Sequence, residues 1–159
     1  MAESTVVKNF RDTTILIEDG TGTPLNYTVA YEPGDASFDI GKDEIAVYRD
    51  RGDVASVRKT NQGLPSGSFS CSFRDLTDGT DETLTDILDK KGAFAAGIST
   101  LGADADVYTV KLTFTIAEPG GAPDHTISFD DCYCTWSFSE GDPSSVSVNW
   151  TSHGTVAQT

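Results

Sequence analysis

Val107-Tyr108-Thr109-Val110-Lys111-Leu112-Thr113-Phe114-Thr115-Ile116-Ala117 alternates apolar and polar residues along its length. Val110, Leu112, Phe114 and Ile116 fall on one side and Thr109, Lys111, Thr113 and Thr115 on the other, the period of two of a strand with one buried face. A strand patterned this way needs neighbours in an antiparallel sheet, and the segments on either side supply them.

Downstream, Pro119-Gly120-Gly121-Ala122-Pro123 reads as a turn and Thr126–Glu140 as a long strand. Ile127 and Phe129 share one face, but Cys132, Cys134, Trp136 and Phe138 have the opposite parity. A bulge near Asp130 and Asp131 is the simplest way to bury both sets. Gly141-Asp142-Pro143 turns the chain again, after which Val146, Val148 and Trp150 alternate with Ser145, Ser147, Asn149 and Thr151.

Upstream, turn residues separate Thr13–Glu18, Asn26–Tyr31 and Ala36–Ile40, the turns being Asp19-Gly20-Thr21-Gly22 and Pro33-Gly34-Asp35. In Ser66–Phe73, Phe69, Cys71 and Phe73 oppose Ser68, Ser70 and Ser72, so an apolar face is backed by an uncharged hydroxyl face. One helix is expected between Thr80 and Lys91, with Leu84, Ile87 and Leu88 as its buried stripe. Asp81 and Glu82 suit its first turn, Lys90 and Lys91 its last, and Gly92 a left-handed residue past its end. The following loop, Gly92–Asp106, returns Phe94 and Ile98 to the core. The sum is a mainly β chain: an antiparallel β-sandwich or half-barrel of about eight to ten strands with one α-helix. Residues 1–159 read as one domain.

The segment Asp43–Phe73 interrupts this pattern. Glu44–Tyr48 and Val54–Arg58 form a hairpin across Arg49-Asp50-Arg51-Gly52-Asp53, and Lys59–Gly67 is polar, so the stretch at about 44–67 reads as a projecting arm. Arg49, Arg51, Arg58 and Lys59 against Asp50 and Asp53 give the arm a local charge of +2 in a chain of −14. These six residues are the candidate contacts with another subunit, in a head-to-tail arrangement that repeats instead of closing. A solvated hairpin tip is the plainer alternative. Arg51-Gly52-Asp53 also spells an adhesion tripeptide, which turn chemistry explains as well.

Composition excludes several functions. With 11 Lys and Arg against 25 Asp and Glu, and Lys111 as the only Lys or Arg after Gly92, tight nucleic-acid binding lacks its cations. Met1–Thr14 has no apolar run of a signal peptide, and no stretch is long and apolar enough to span a membrane. Three cysteines, Cys71, Cys132 and Cys134, fit a reducing compartment such as a cytoplasm better than a disulfide framework. His125 and His153 have no local nucleophile motif, so we expect no catalytic residue and no enzyme. Cys132 and Cys134 lack two further ligands and read as buried thiols, and Asp104, Asp106, Asp130 and Asp131 read as solvated turns, so neither metal nor cofactor is expected.

The order of strand, Asp50-Arg51-Gly52 turn, polar segment and Leu64-Pro65-Ser66-Gly67-Ser68-Phe69 resembles the major tail tube proteins of long-tailed, siphovirus-like bacteriophages. Thr14-Ile15-Leu16-Ile17-Glu18-Asp19-Gly20 and Glu32-Pro33-Gly34-Asp35-Ala36-Ser37-Phe38 are similar to the opening of such proteins. The resemblance implies a structural virion protein, made in the host bacterial cytoplasm, whose sheets complete a continuous β-barrel in a hexameric ring. Rings would stack into a tail tube that conducts the genome to the host, DNA passing without specific binding. In that family a hairpin reaches the adjacent ring, which Arg49–Ser66 matches by position, and the tails Met1–Asn9 and Gly154–Thr159 would add inter-ring contacts. Implied partners are further copies of the chain, with the tape measure, tail terminator and distal tail proteins. The alternatives are the tube protein of a contractile secretion system and a carbohydrate-binding or adhesive β-sandwich. The last would need an exposed aromatic platform, whereas Trp136 and Trp150 are expected to be buried.

Overall fold

The computed structural model describes residues 13–23, 25–30, 36–74, 82–118 and 123–159. Through them run β1 (Thr13–Glu18), β2 (Asn26–Ala30), β3 (Ser37–Asp39), β4 (Glu44–Asp50), β5 (Asp53–Asn61), β6 (Ser66–Ser72), β7 (Val110–Ile116), β8 (His125–Ser139), β9 (Ser145–Ser152) and β10 (Val156–Gln158). Among the described residues a single α-helix, α1 (Leu84–Asp89), and a 3-10 turn at Gly92–Phe94 lie between β6 and β7. One antiparallel sheet has the order β2-β1-β7-β8-β9-β6-β3, with β10 also on β8, while β4 and β5 form a hairpin of their own. The architecture is the mainly β, antiparallel one that the alternation implies, and no barrel closes within the described residues.

The fold turns on β8. Leu112 of β7 lies opposite Phe129, but Val110 lies opposite Cys132, so β8 carries one residue more than its partner at Asp130-Asp131. Asp131 takes up the extra residue in the left-handed region, with φ 53. The carbonyls exposed by the bulge are used: Asp131 O accepts the His153 N–H at 3.1 Å and Asp130 O the Gly154 N–H at 3.2 Å. Asp130 O also accepts the Ser152 hydroxyl at 2.7 Å. After this switch β8 pairs with β9 instead of β7, and so belongs to two layers.

In one layer Ile15, Leu112, Phe114, Ile127 and Phe129 face inward; in the other, Phe69, Val146, Val148 and Trp150 do. Rings lock the layers together. Phe129 lies 4.6 Å from Trp150, 5.4 Å from Phe38 and 5.8 Å from Phe114, centroid to centroid. Gly67 allows this closure, because a Cβ there would sit 2.5 Å from Ser37 O and 2.6 Å from a Trp150 ring carbon. Leu84, Ile87 and Leu88 of α1 are buried as the helical stripe requires. The Thr83 N–H donates to Asp86 Oδ2 at 2.7 Å at its start. The left-handed residue that stops α1 is Lys90, φ 57, two residues before the expected Gly92. Gly92 is also left-handed, but it opens the next turn. Thr80, Asp81, Tyr31, the Pro33–Asp35 and Pro119–Ala122 turns and the Met1–Asn9 tail lie outside the described residues.

The burial of three residues differs from the sequence reading. Thr109, expected outside, is 1% exposed. Its N–H donates to Ser99 Oγ at 3.1 Å and its hydroxyl shares hydrogen bonds with Ser99 and Thr100, so a hydroxyl knot anchors the loop to the core. Trp136 and Phe138, expected inside, are 38% and 52% exposed. They point to the core side of β8, but β7 pairs no further than Cys132, so the opposing layer ends before reaching them.

Asp19 fixes the β1–β2 turn to the rest of the molecule. It is buried; Oδ1 accepts the Leu25 N–H and the Thr21 hydroxyl, each at 2.8 Å, and the Thr21 N–H at 3.3 Å. Oδ2 accepts the N–H of Ile98, 79 residues away, at 3.1 Å. Asp19→Ala is expected to cost about 3 kcal/mol, since it orphans several donors to a charged acceptor. Urea unfolding checks this, and an unchanged midpoint would mean that water replaces the carboxylate.

Candidate assembly interface

The arm is the β4–β5 hairpin. It leaves the body where β3 ends and β6 begins, and its root is tied by Lys59 Nζ to Asp43 Oδ2 at 2.7 Å and by the Gly63 N–H to Asp43 Oδ1 at 3.0 Å. The hydrogen bond from Lys59 is the main cause holding the exposed Asp43 carboxyl below its ordinary pKa. Val47 faces Val57 and Ile45 faces Lys59; Tyr48 then faces Ser56 but Arg49 faces Val54, so Ala55 is an extra residue in β5. That shift brings Val54 onto the face of Ile45, Val47 and Val57. The four side chains are 55%, 62%, 44% and 54% exposed, respectively.

Four of the six predicted contact residues, Arg49, Asp50, Arg51 and Asp53, gather at the hairpin tip, where the Arg49 guanidinium donates to Gly52 O at 3.0 Å. Arg58 lies on the face of Ala46, away from the valines, and Lys59 is engaged at the root by Asp43. Sequence reasoning singled out the charges and missed the apolar face. Ser66 and Gly67, placed in the arm from the sequence, pair with β9 and β3 in the body.

The layer made of β3, β6, β9 and the second half of β8 has an unusual outer surface. Ser66, Ser68, Ser70 and Ser72 lie beside Thr151, Asn149, Ser147 and Ser145, which lie in turn beside Tyr133, Thr135, Ser137 and Ser139. None of these twelve positions carries a charge, in a chain with a net charge of −14; on β3, Ser37 lies beside Ser68 and Asp39 beside Ser66, so a carboxylate sits at the margin of this face. A shallow trough of about 500 Å³ runs along it between Ser68 and Tyr133. Both margins of this layer are open among the described residues: β3 pairs only with β6, and Tyr133–Ser139 only with β9. At the end opposite the arm, Phe73 and Phe138 form an edge-to-face pair 5.4 Å apart, 42% and 52% exposed. Trp136 beside them donates from Nε1 to Asp89 Oδ1 at 3.0 Å.

The residues weighed for chemistry are dispersed. His125 opens β8 and His153 follows β9. The Cys132 thiol is buried, donates to Phe129 O at 3.4 Å and is pushed up by desolvation to about 12. Burial also raises Cys134 and Cys71. Among the described residues no three His, Cys, Asp or Glu side chains come together as a metal would need, and no helix is long and apolar enough to cross a membrane.

No protein-family model matches the sequence and no curated protein matches it. Solved structures do. A chain of the anti-feeding prophage cap, described as its tube terminating cap, superimposes with a TM-score of 0.61 at 9% identity, covering 100% of this chain and 94% of that one. This chain shares its fold. A chain of the six-fold symmetrised baseplate of the same prophage gives 0.57 at 10% identity over 100% and 97%. A chain of the sheath-tube complex of an extracellular contractile injection system gives 0.56 at 10% identity over 91% and 87%.

Proposed function

We propose that this chain is a single-domain tail tube subunit that assembles into hexameric rings, stacked into the hollow tube of a phage virion. The whole-length likeness in fold to chains of tube cap, baseplate and sheath-tube assemblies carries the reading. The open margins support it: joining β3 of one subunit to the Tyr133–Ser139 edge of the next removes two exposed strand edges per copy and continues the sheet around a ring. The hydroxyl-rich face would then line the lumen, offering passing DNA no cations to bind and, apart from Asp39 at the β3 margin, no like charges. Arg49, Asp50, Arg51, Asp53, Arg58 and Lys59 would lie on the arm that reaches the adjacent ring. The tape measure, tail terminator and distal tail proteins are the expected partners at the tube's interior and ends.

A second reading, the tube protein of a contractile injection or secretion system, is favoured by the origin of the matched chains. It has the same assembly and differs in requiring a sheath partner. Electron microscopy of purified protein at rising concentration tests both: six-fold rings or tubes are expected, and decoration by a co-expressed sheath protein would select the second. A persistent monomer, above all one that binds glycans, would overturn them.

A further inference from the structure

The arm and the exposed aromatic pair stand at opposite ends of the same layer. β6 begins at Ser66, next to the arm's root, and runs to Ser72, after which Phe73 meets Phe138. At about 3.3 Å per residue the seven-residue β6 separates the two ends by roughly 23 Å, and the seven-residue β4 makes the arm about as long. The hairpin lies open and does not cover Phe73 and Phe138 of its own chain, whereas a copy stacked end to end would bring its arm against them.

The two surfaces match in chemistry. Val47 and Val57 head an apolar face with no cover, and Phe73 and Phe138 are the rim of a core that β7 leaves open. Past the rim the β8–β9 turn carries Glu140 and Asp142, both exposed; the hairpin tip carries Arg49 and Arg51 together with Asp50 and Asp53, but Arg49 pairs with Val54 on the valine face while Asp50 and Asp53 pair on the opposite face. Apolar face meets apolar rim, and the arginine on that face meets the acidic turn. Resting on the stacking reading above, we infer that the β4–β5 hairpin of one copy closes the open aromatic end of the next, its valine face covering Phe73 and Phe138. The contact is heterologous, using two different patches of one chain, and therefore propagates along an axis.

Site-directed cross-linking tests it on the full chain. Val47→Cys and Phe138→Cys proteins, mixed, assembled and oxidised, are expected to give a disulfide-linked dimer; Val47→Cys mixed with Thr28→Cys, on the outer face of the other layer, is not. All three positions are on the surface, and unchanged unfolding midpoints would establish that the variants fold. A charge swap gives a second readout: Glu140→Arg with Asp142→Arg is expected to raise the concentration needed for assembly about 10-fold, and Arg49→Glu with Arg51→Glu in the same chain to restore it. If wild-type protein forms tubes but the Val47→Cys and Phe138→Cys proteins give no cross-link, or assembly ignores the charge swap, this inference is overturned and the stacking reading stands. Wild-type protein that never assembles would overturn both.

Discussion

Replacing Glu44–Asn61 with a two-residue Gly-Ser link is expected to leave a folded body that forms no long tubes. The excision is structurally clean because β4 and β5 form a sheet of their own and their ends meet at the root, where the Gly63 N–H donates to Asp43 Oδ1 at 3.0 Å. Nothing in the buried core comes from the hairpin. Removing Asp50–Asn61 alone would be a worse test, since it leaves β4 as a lone strand displaying Ile45, Val47 and Tyr48, a template for aggregation. The urea midpoint should stay close to that of the full chain, while electron microscopy should find rings or short stacks in place of tubes. Normal tubes from the armless protein would mean that stacking is carried by other surfaces, and a collapsed midpoint would mean that the hairpin supports the body.

What the sequence makes legible is what repeats locally. The alternation in Val110–Ile116 and Ser145–Ser152 survives residue by residue, and the parity break at Asp130-Asp131 locates the bulge that lets β8 serve two layers. Pairing over distance is not local, and nothing within Ser66–Ser72 announces β9 as its partner. The extent of the opposing layer is likewise invisible: parity sends Trp136 and Phe138 toward the core side, but only the end of the β7 pairing shows that no layer covers them. Asp19 looks like an ordinary turn residue until Ile98 arrives from 79 positions away.

The candidate site was half legible for a related reason. Charges at Arg49–Asp53 stand out in composition, but the valine face is hidden because Val54 and Val57 are three apart, a spacing that no regular strand puts on one side. The extra residue Ala55 corrects the phase, and it is apparent only from the pairing of Arg49 with Val54 and Tyr48 with Ser56. A segment read as polar thus proves amphipathic, with its apolar side unpartnered in the single chain.

Phe129→Ala and Phe138→Ala should separate the core from the surface within one strand. Phe129 is fully buried and in ring contact with Phe38, Phe114 and Trp150, so its truncation removes the centre of the aromatic cluster that joins the two layers. The expected loss is about 3–5 kcal/mol, a large part of the roughly 5–15 kcal/mol that stabilises a typical domain. Phe138, half exposed and touching Phe73 at the rim, should cost the monomer under about 1.5 kcal/mol, the scale of one aromatic pair. Urea unfolding of the dilute protein measures both. Equal losses would mean that the rim is an integral part of the core, leaving no surface for a neighbour's arm to cover. A large loss for Phe129 alone, together with an assembly defect for Phe138→Ala alone, is the pattern required if the same strand holds the subunit together at one end and presents it to the next copy at the other.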